Sequence, residues 1–92
     1  MAEEARTTEL KAQNHAAMLG GANVITTVIA THDKGSDAKP EDFASDMTTE
    51  EKKARVSRSM AYLKLMVALD DWGSEDMTKV NAAISAGTTF VG

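Results

Sequence analysis

Four acids crowd one glycine in this chain: Asp70, Asp71, Glu75 and Asp76 flank Gly73. Clustered carboxylates suit a hard cation, and an EF-hand-type loop is the obvious comparison. That loop needs acidic or amide residues at alternate positions, a glycine at the sixth and a glutamate at the twelfth. The spacing is absent here, and the acidic stretch from Asp33 to Asp46 fails the same test. Acids at helix ends more commonly cap and solvate, so no metal site is expected.

His15 and His32 are too far apart along a helix to share an ion, and neither belongs to an HExxH pair. His15 is expected on the exposed surface and His32 at a helix C-terminus, where its partial charge suits the dipole. No serine stands in a nucleophile elbow, and there is no cysteine nucleophile. Gly20-Gly21 is followed by Ala22-Asn23 and not by the Lys-Ser/Thr of a phosphate-cradling loop. Lys52, Lys53, Arg55 and Arg58 concentrate positive charge that could touch phosphate, but Glu50 and Glu51 beside them point to a solvated face. No catalytic residue and no cofactor are therefore expected, and the chain reads as a non-enzyme.

The elements that carry these residues read as three helices, at about 8–31, 49–70 and 75–86, in a single domain spanning 1–92. In the first, Thr7 or Thr8 is the expected cap. Leu10, Ala17, Gly21, Val24, Ile25 and Val28 form its apolar stripe, with Met18 and Ile29 on the shoulder. Gly20-Gly21 interrupts it and marks either a kink or a close approach of another helix, since each glycine costs about 1 kcal/mol relative to alanine. The β-branched run Val24–Ile29 could form a strand, but no matching second strand lies nearby. From His32 to Asp46 the pattern stops, and Gly35, Ser36 and Pro40 predict a long acidic loop. It could hold one helical turn started by Pro40 and anchored by Phe43.

The second helix is announced by Thr48-Thr49-Glu50-Glu51, a capping-box sequence with Thr48 as cap and Glu51 three residues later. Glu51 and Arg55 have the spacing of an i,i+4 ion pair. Val56, Met60, Leu63 and Val67 form its core stripe. From Met60 to Leu69 the chain reads MAYLKLMVAL, with Lys64 as the one charge. Leu65 and Leu69 lie opposite the core stripe, with Tyr62 and Met66 between. A helix apolar all round wants partners on several sides. Gly73 is expected to stop this helix in a left-handed conformation and Ser74 to cap the next. Met77, Val80 and Ile84 face the core, Gly87 ends the third helix, and Thr88–Gly92 is left as a β-prone tail.

Composition narrows the class. The chain of 92 residues is 42 % hydrophobic but only 4 % aromatic, with six Met. Its core must come from Ala, Val, Ile, Leu and Met, which favours an all-α fold. A net charge of −4 argues against nucleic acid, whose binders usually carry a basic excess. With no cysteine, disulfides and thiolate metal sites are excluded. The polar, acidic start MAEEARTTE is not a signal peptide, and the apolar runs are too short to span a bilayer.

The segment MAYLKLMVALDDWGSEDMTKVNAAISAG resembles small proteins of tailed bacteriophages, marine ones in particular. An apolar helix, the DDWGSEDMT junction and a short Ala-rich helix ending in glycine carry the resemblance over about a third of the chain. It implies a phage origin and a place in the virion as a head, connector or tail accessory, located in the virion or the host cytoplasm. It assigns no site residue. The expected function is thus structural: helix packing against further copies of itself or other virion proteins, in a homo-oligomer or larger assembly. Tyr62, Leu65, Met66, Leu69, Trp72 and Phe90 are the expected interaction residues. A helical adaptor that binds a host protein is the alternative.

Overall fold

The computed structural model describes residues 2–69 and 71–92, with side chains from Glu9 onward. Three α-helices form the fold: α1 over Ala2–Lys34, α2 over Thr49–Val67 and α3 over Ser74–Val91. No strand occurs among the described residues, so the β-branched run of α1 is helical. Helix α1 is the spine. Its 33 residues, at about 1.5 Å each, account for the molecule's 54 Å long dimension against 25 and 20 Å for the other two. The other helices pack on it and on each other.

The core is a column of small and medium side chains. Met18, Ala22, Ile25 and Val28 from α1 meet Val56, Leu63 and Met66 from α2 and Val80 and Ala83 from α3. Removing one such Ile, Leu or Val side chain from water contributes about 1.5–3 kcal/mol, so these few residues hold the helices together. The buried face of α1 is rotated from the expected stripe. Leu10 is 52 % exposed and Ala17 is exposed, whereas Met18 and Ala22 lie at the centre. Two neighbouring helices, not one, set that phase.

Both helices that border the expected loop and tail are longer than their sequences suggest. Helix α1 begins at Ala2, upstream of Thr7 and Thr8, so neither is its cap; their side chains lie outside the described residues. At its other end it continues to Lys34, with Thr31 buried and the His32 ring edge-on to Phe90 at 5.0 Å. His32 and Lys34 then sit in the last turn, where cations suit the helix dipole.

The long acidic loop is accordingly not what joins α1 and α2. A 3-10 turn occupies Gly35–Asp37, and the short linker after it is built of successive turns. Asp42 N–H donates to the Lys39 carbonyl, Ser45 N–H to that of Asp42, and Met47 N–H to that of Ala44. Asp42 ties the linker back, its carboxylate accepting from the Lys39 N–H at 2.9 Å and from Lys34 Nζ at 3.1 Å. The buried anchor is Ala44, held at φ 67°, while Phe43 stays exposed.

Helix α2 starts as its sequence dictates. Glu51 N–H donates to Thr48 Oγ1 at 3.1 Å, and Thr48 N–H donates to Glu51 Oε1 at 3.0 Å. That reciprocal pair satisfies two otherwise orphaned donors. It also occupies Glu51, so the expected Glu51–Arg55 ion pair is absent among the described residues. The helix ends at Val67, before the expected limit of 70; Asp70 lies outside the described residues. Gly73 does not stop it in a left-handed conformation. With φ −59° and ψ 154°, Gly73 is instead the N-cap of α3, and Ser74 is the first helical residue.

The glycines resolve two open readings. Helix α1 runs unbroken through Gly20-Gly21. A Cβ at Gly21 would lie 3.2 Å from Leu63 Cδ2 and 3.4 Å from Tyr62 Cδ1, so this glycine marks close helix approach. Gly87, expected as a helix stop, is buried inside α3. A Cβ there would stand 2.6 Å from Met60 Sδ and 3.1 Å from Val56 Cγ1. Helix α3 goes on because Phe90 and Val91 pack against the core. Thr88 and Thr89 return their hydroxyls to the Ile84 and Ser85 carbonyls at 2.8 and 3.2 Å, a bond that lets such residues sit in a helix. The β-prone tail is thus the last turn of a helix.

Candidate functional site

Helix α2 presents two different faces. Its inner residues Val56, Ser59, Leu63 and Met66 are buried. Ala54, Arg58, Ala61, Leu65 and Ala68 point outward. Leu65 is 69 % exposed, Leu69 61 % and Tyr62 41 %. Tyr62 and Leu65 lie one turn apart on α2 and Leu69 follows in the turn just after it, and among the described residues nothing buries these three side chains.

The other expected interaction residues are placed differently. Met66 is only 5 % exposed and belongs to the core. Its carbonyl accepts the Trp72 indole N–H at 2.9 Å. Trp72 is half-buried, because the turn after α2 folds its ring onto α1. Phe90 is half-buried against His32 at the opposite end of the bundle. Tyr62, Leu65 and Leu69 thus form one surface, while Met66, Trp72 and Phe90 hold helices to each other.

Trp72 heads a small polar cluster that the sequence did not reveal. His15, expected on the open surface, is half-buried with Nε2 2.8 Å from Asp76 Oδ2. Its ring lies 5.9 Å from that of Trp72. Lys11 places Nζ 6.0 Å from the Trp72 ring centroid and donates to the Asp71 carbonyl at 3.4 Å. The partners are about sixty positions apart, so no local pattern could signal them. Chemically this is a tie that fixes the start of α3 to α1. Among the described residues no group of three His, Cys, Asp or Glu side chains could hold a metal ion.

A groove runs between α1 and α2 beside the exposed face. Gly21, Val24, Arg55, Arg58, Ser59 and Tyr62 line an open hollow of about 390 Å³. A second hollow, lined by Asn23, Val24, Thr27 and Phe43, adjoins it at Val24. On the other side of α1, Leu19, Ala22, Ala82, Ala83 and Ala86 line a mostly apolar groove against α3, with Asn23 and Lys79 also lining it. No helix among the described residues is long and apolar enough to cross a membrane. No family model, curated protein or solved structure matches the chain.

Proposed function

We propose that this protein is a structural packing unit, acting through helix-to-helix contacts with further copies of itself or other proteins of an assembly, and not through catalysis. The exposed face Tyr62-Leu65-Leu69 carries the reading. Two large aliphatic side chains more than half exposed on one short ridge cost solubility, and contiguous exposed apolar surface marks interaction sites. The resemblance of residues 60–87 to small proteins of tailed phages supports a virion accessory in the head, connector or tail as the assembly.

The test is the native mass by light scattering across a concentration range, for the wild type and for Leu65→Gln/Leu69→Gln. The expected result is an oligomer, or binding to other particle proteins, that the double variant loses while it stays folded. Absence of the protein from purified particles, with one stoichiometric host partner recovered instead, would select a host-binding adaptor. A strictly monomeric protein that binds no particle protein would refute the packing reading.

A further inference from the structure

Charge is divided unevenly along this chain. Helix α2 holds Lys52, Lys53, Arg55, Arg58 and Lys64 against Glu50 and Glu51, and no acid occurs from Lys52 to Leu69. The other twelve of the fourteen acids lie elsewhere. Arg55 and Arg58 both lack an ion-pair or hydrogen-bond partner among the described residues. Both line the α1/α2 groove, next to the Tyr62 ring and the buried Ser59. Two guanidiniums one helical turn apart, beside the Tyr62 ring, are suited to carboxylates, which arginine meets with paired N–H donors.

The complementary surface adjoins the groove. Phe43 borders it through Val24 and is exposed, and its linker also exposes Asp37, Glu41 and Asp46 against Lys39. One face of the molecule therefore carries a cationic groove and, beside it, an acidic tip with an aromatic residue at its centre. A patch and its complement side by side on one face make that face self-complementary, which is what a two-fold interface requires. We propose that the α1/α2 groove binds the Glu41–Asp46 tip of a second copy, reciprocally, in a two-fold dimer. Arg55 and Arg58 take the carboxylates of Glu41 and Asp46, and Phe43 enters beside Val24 and Tyr62. This rests on the reading of the protein as a packing unit and names one of its contacts.

The experiment is sedimentation or light-scattering mass of the full chain in low and high salt, for three proteins. They are the wild type, Arg55→Glu/Arg58→Glu, and Glu41→Lys/Asp46→Lys, each checked for helicity by circular dichroism. The wild type should dimerise in low salt and weaken as salt rises, since exposed charge pairs are screened within about 10 Å at 0.1 M. Each variant alone should dissociate by about tenfold or more, because like charges then face each other. Mixing the two variants should restore a heterodimer, a readout that misfolding could not produce. A wild-type monomer at all concentrations overturns the proposal and leaves the groove to another acidic partner. A dimer unchanged by salt and by both charge reversals overturns it too. That second outcome spares the packing reading, which Leu65→Gln/Leu69→Gln tests separately.

Discussion

Replacing each of three helical glycines by alanine, one at a time, asks the structure a sharp question. In an isolated helix every Gly→Ala change is favourable by about 1 kcal/mol. Here the added Cβ meets three different surroundings. At Gly20 there is nothing within 4 Å, so Gly20→Ala should realise nearly the full gain of about 1 kcal/mol. At Gly21 the Cβ stands 3.2 Å from Leu63 Cδ2. A shift of a few tenths of an ångström in a buried leucine should offset most of the gain and leave the change near zero. At Gly87 the Cβ would be 2.6 Å from Met60 Sδ and 3.1 Å from both Met60 Cγ and Val56 Cγ1. Met60 is only partly buried and can swing aside, but Val56 is fully buried and stiff about χ1. Overpacking costs about 1–3 kcal/mol, so Gly87→Ala should be a net loss of about 1 kcal/mol. Thermal unfolding reads all three, since 1 kcal/mol moves the midpoint by about 4–8 °C in a domain of this size. Midpoints should rank Gly20→Ala above wild type, Gly21→Ala close to it and Gly87→Ala below. If Gly87→Ala stabilised as much as Gly20→Ala, the packing of α3 on α2 described above would be wrong.

Other consequences can be checked alongside. Thr48→Ala removes the cap of α2 and should cost about 1 kcal/mol in urea unfolding. Asp42 and Glu51 both have pKa values below their ordinary 3.8 and 4.5. The Lys39 backbone N–H, and then Lys34, hold Asp42 down, as the Thr48 backbone N–H and hydroxyl do Glu51. Lowered folded values mean that their contribution is complete above the ordinary carboxylate range and lost as pH falls through it. Stability should therefore drop on acidification, and Glu51→Gln, which removes the titrating group, should flatten the part of that drop owed to Glu51. Trp72→Phe loses the indole bond to the Met66 carbonyl, which keeps the Leu69 N–H, and should cost about 0.5–1.5 kcal/mol. Leu65→Gln should change stability by less than about 0.5 kcal/mol, because the side chain is mostly exposed.

How much of this was legible in the sequence follows from how far apart the interacting residues are. The capping box at Thr48 and Glu51 was readable because both bonds close within one turn. The exposure of Leu65 and Leu69, opposite the core stripe, was readable for a similar reason: helical periodicity fixes which side chains share a side. Periodicity could not say which apolar side would be covered, and it put Met66 among the contact residues when the fold places it in the core. The His15–Asp76 contact, and the docking of Trp72 on α1, left no local trace.

The sequence by itself determined that the chain is helical, where α2 begins, and that α2 has more apolar sides than a single neighbour could cover. Those are properties of short-range hydrogen bonding, side-chain entropy and a 3.6-residue period. Only the tertiary structure decided where helices end and how they are rotated. Gly87 carries the local signature of a helix stop, yet burial of Phe90 and Val91 outweighs its propensity and carries α3 on to Val91. Gly35, Ser36 and Pro40 signal a loop that should start near His32, yet Thr31 is buried, the His32 ring meets Phe90 on α3, and α1 continues to Lys34. In each case a local preference of about 1 kcal/mol met the larger free energy of removing an apolar side chain from water, and packing won.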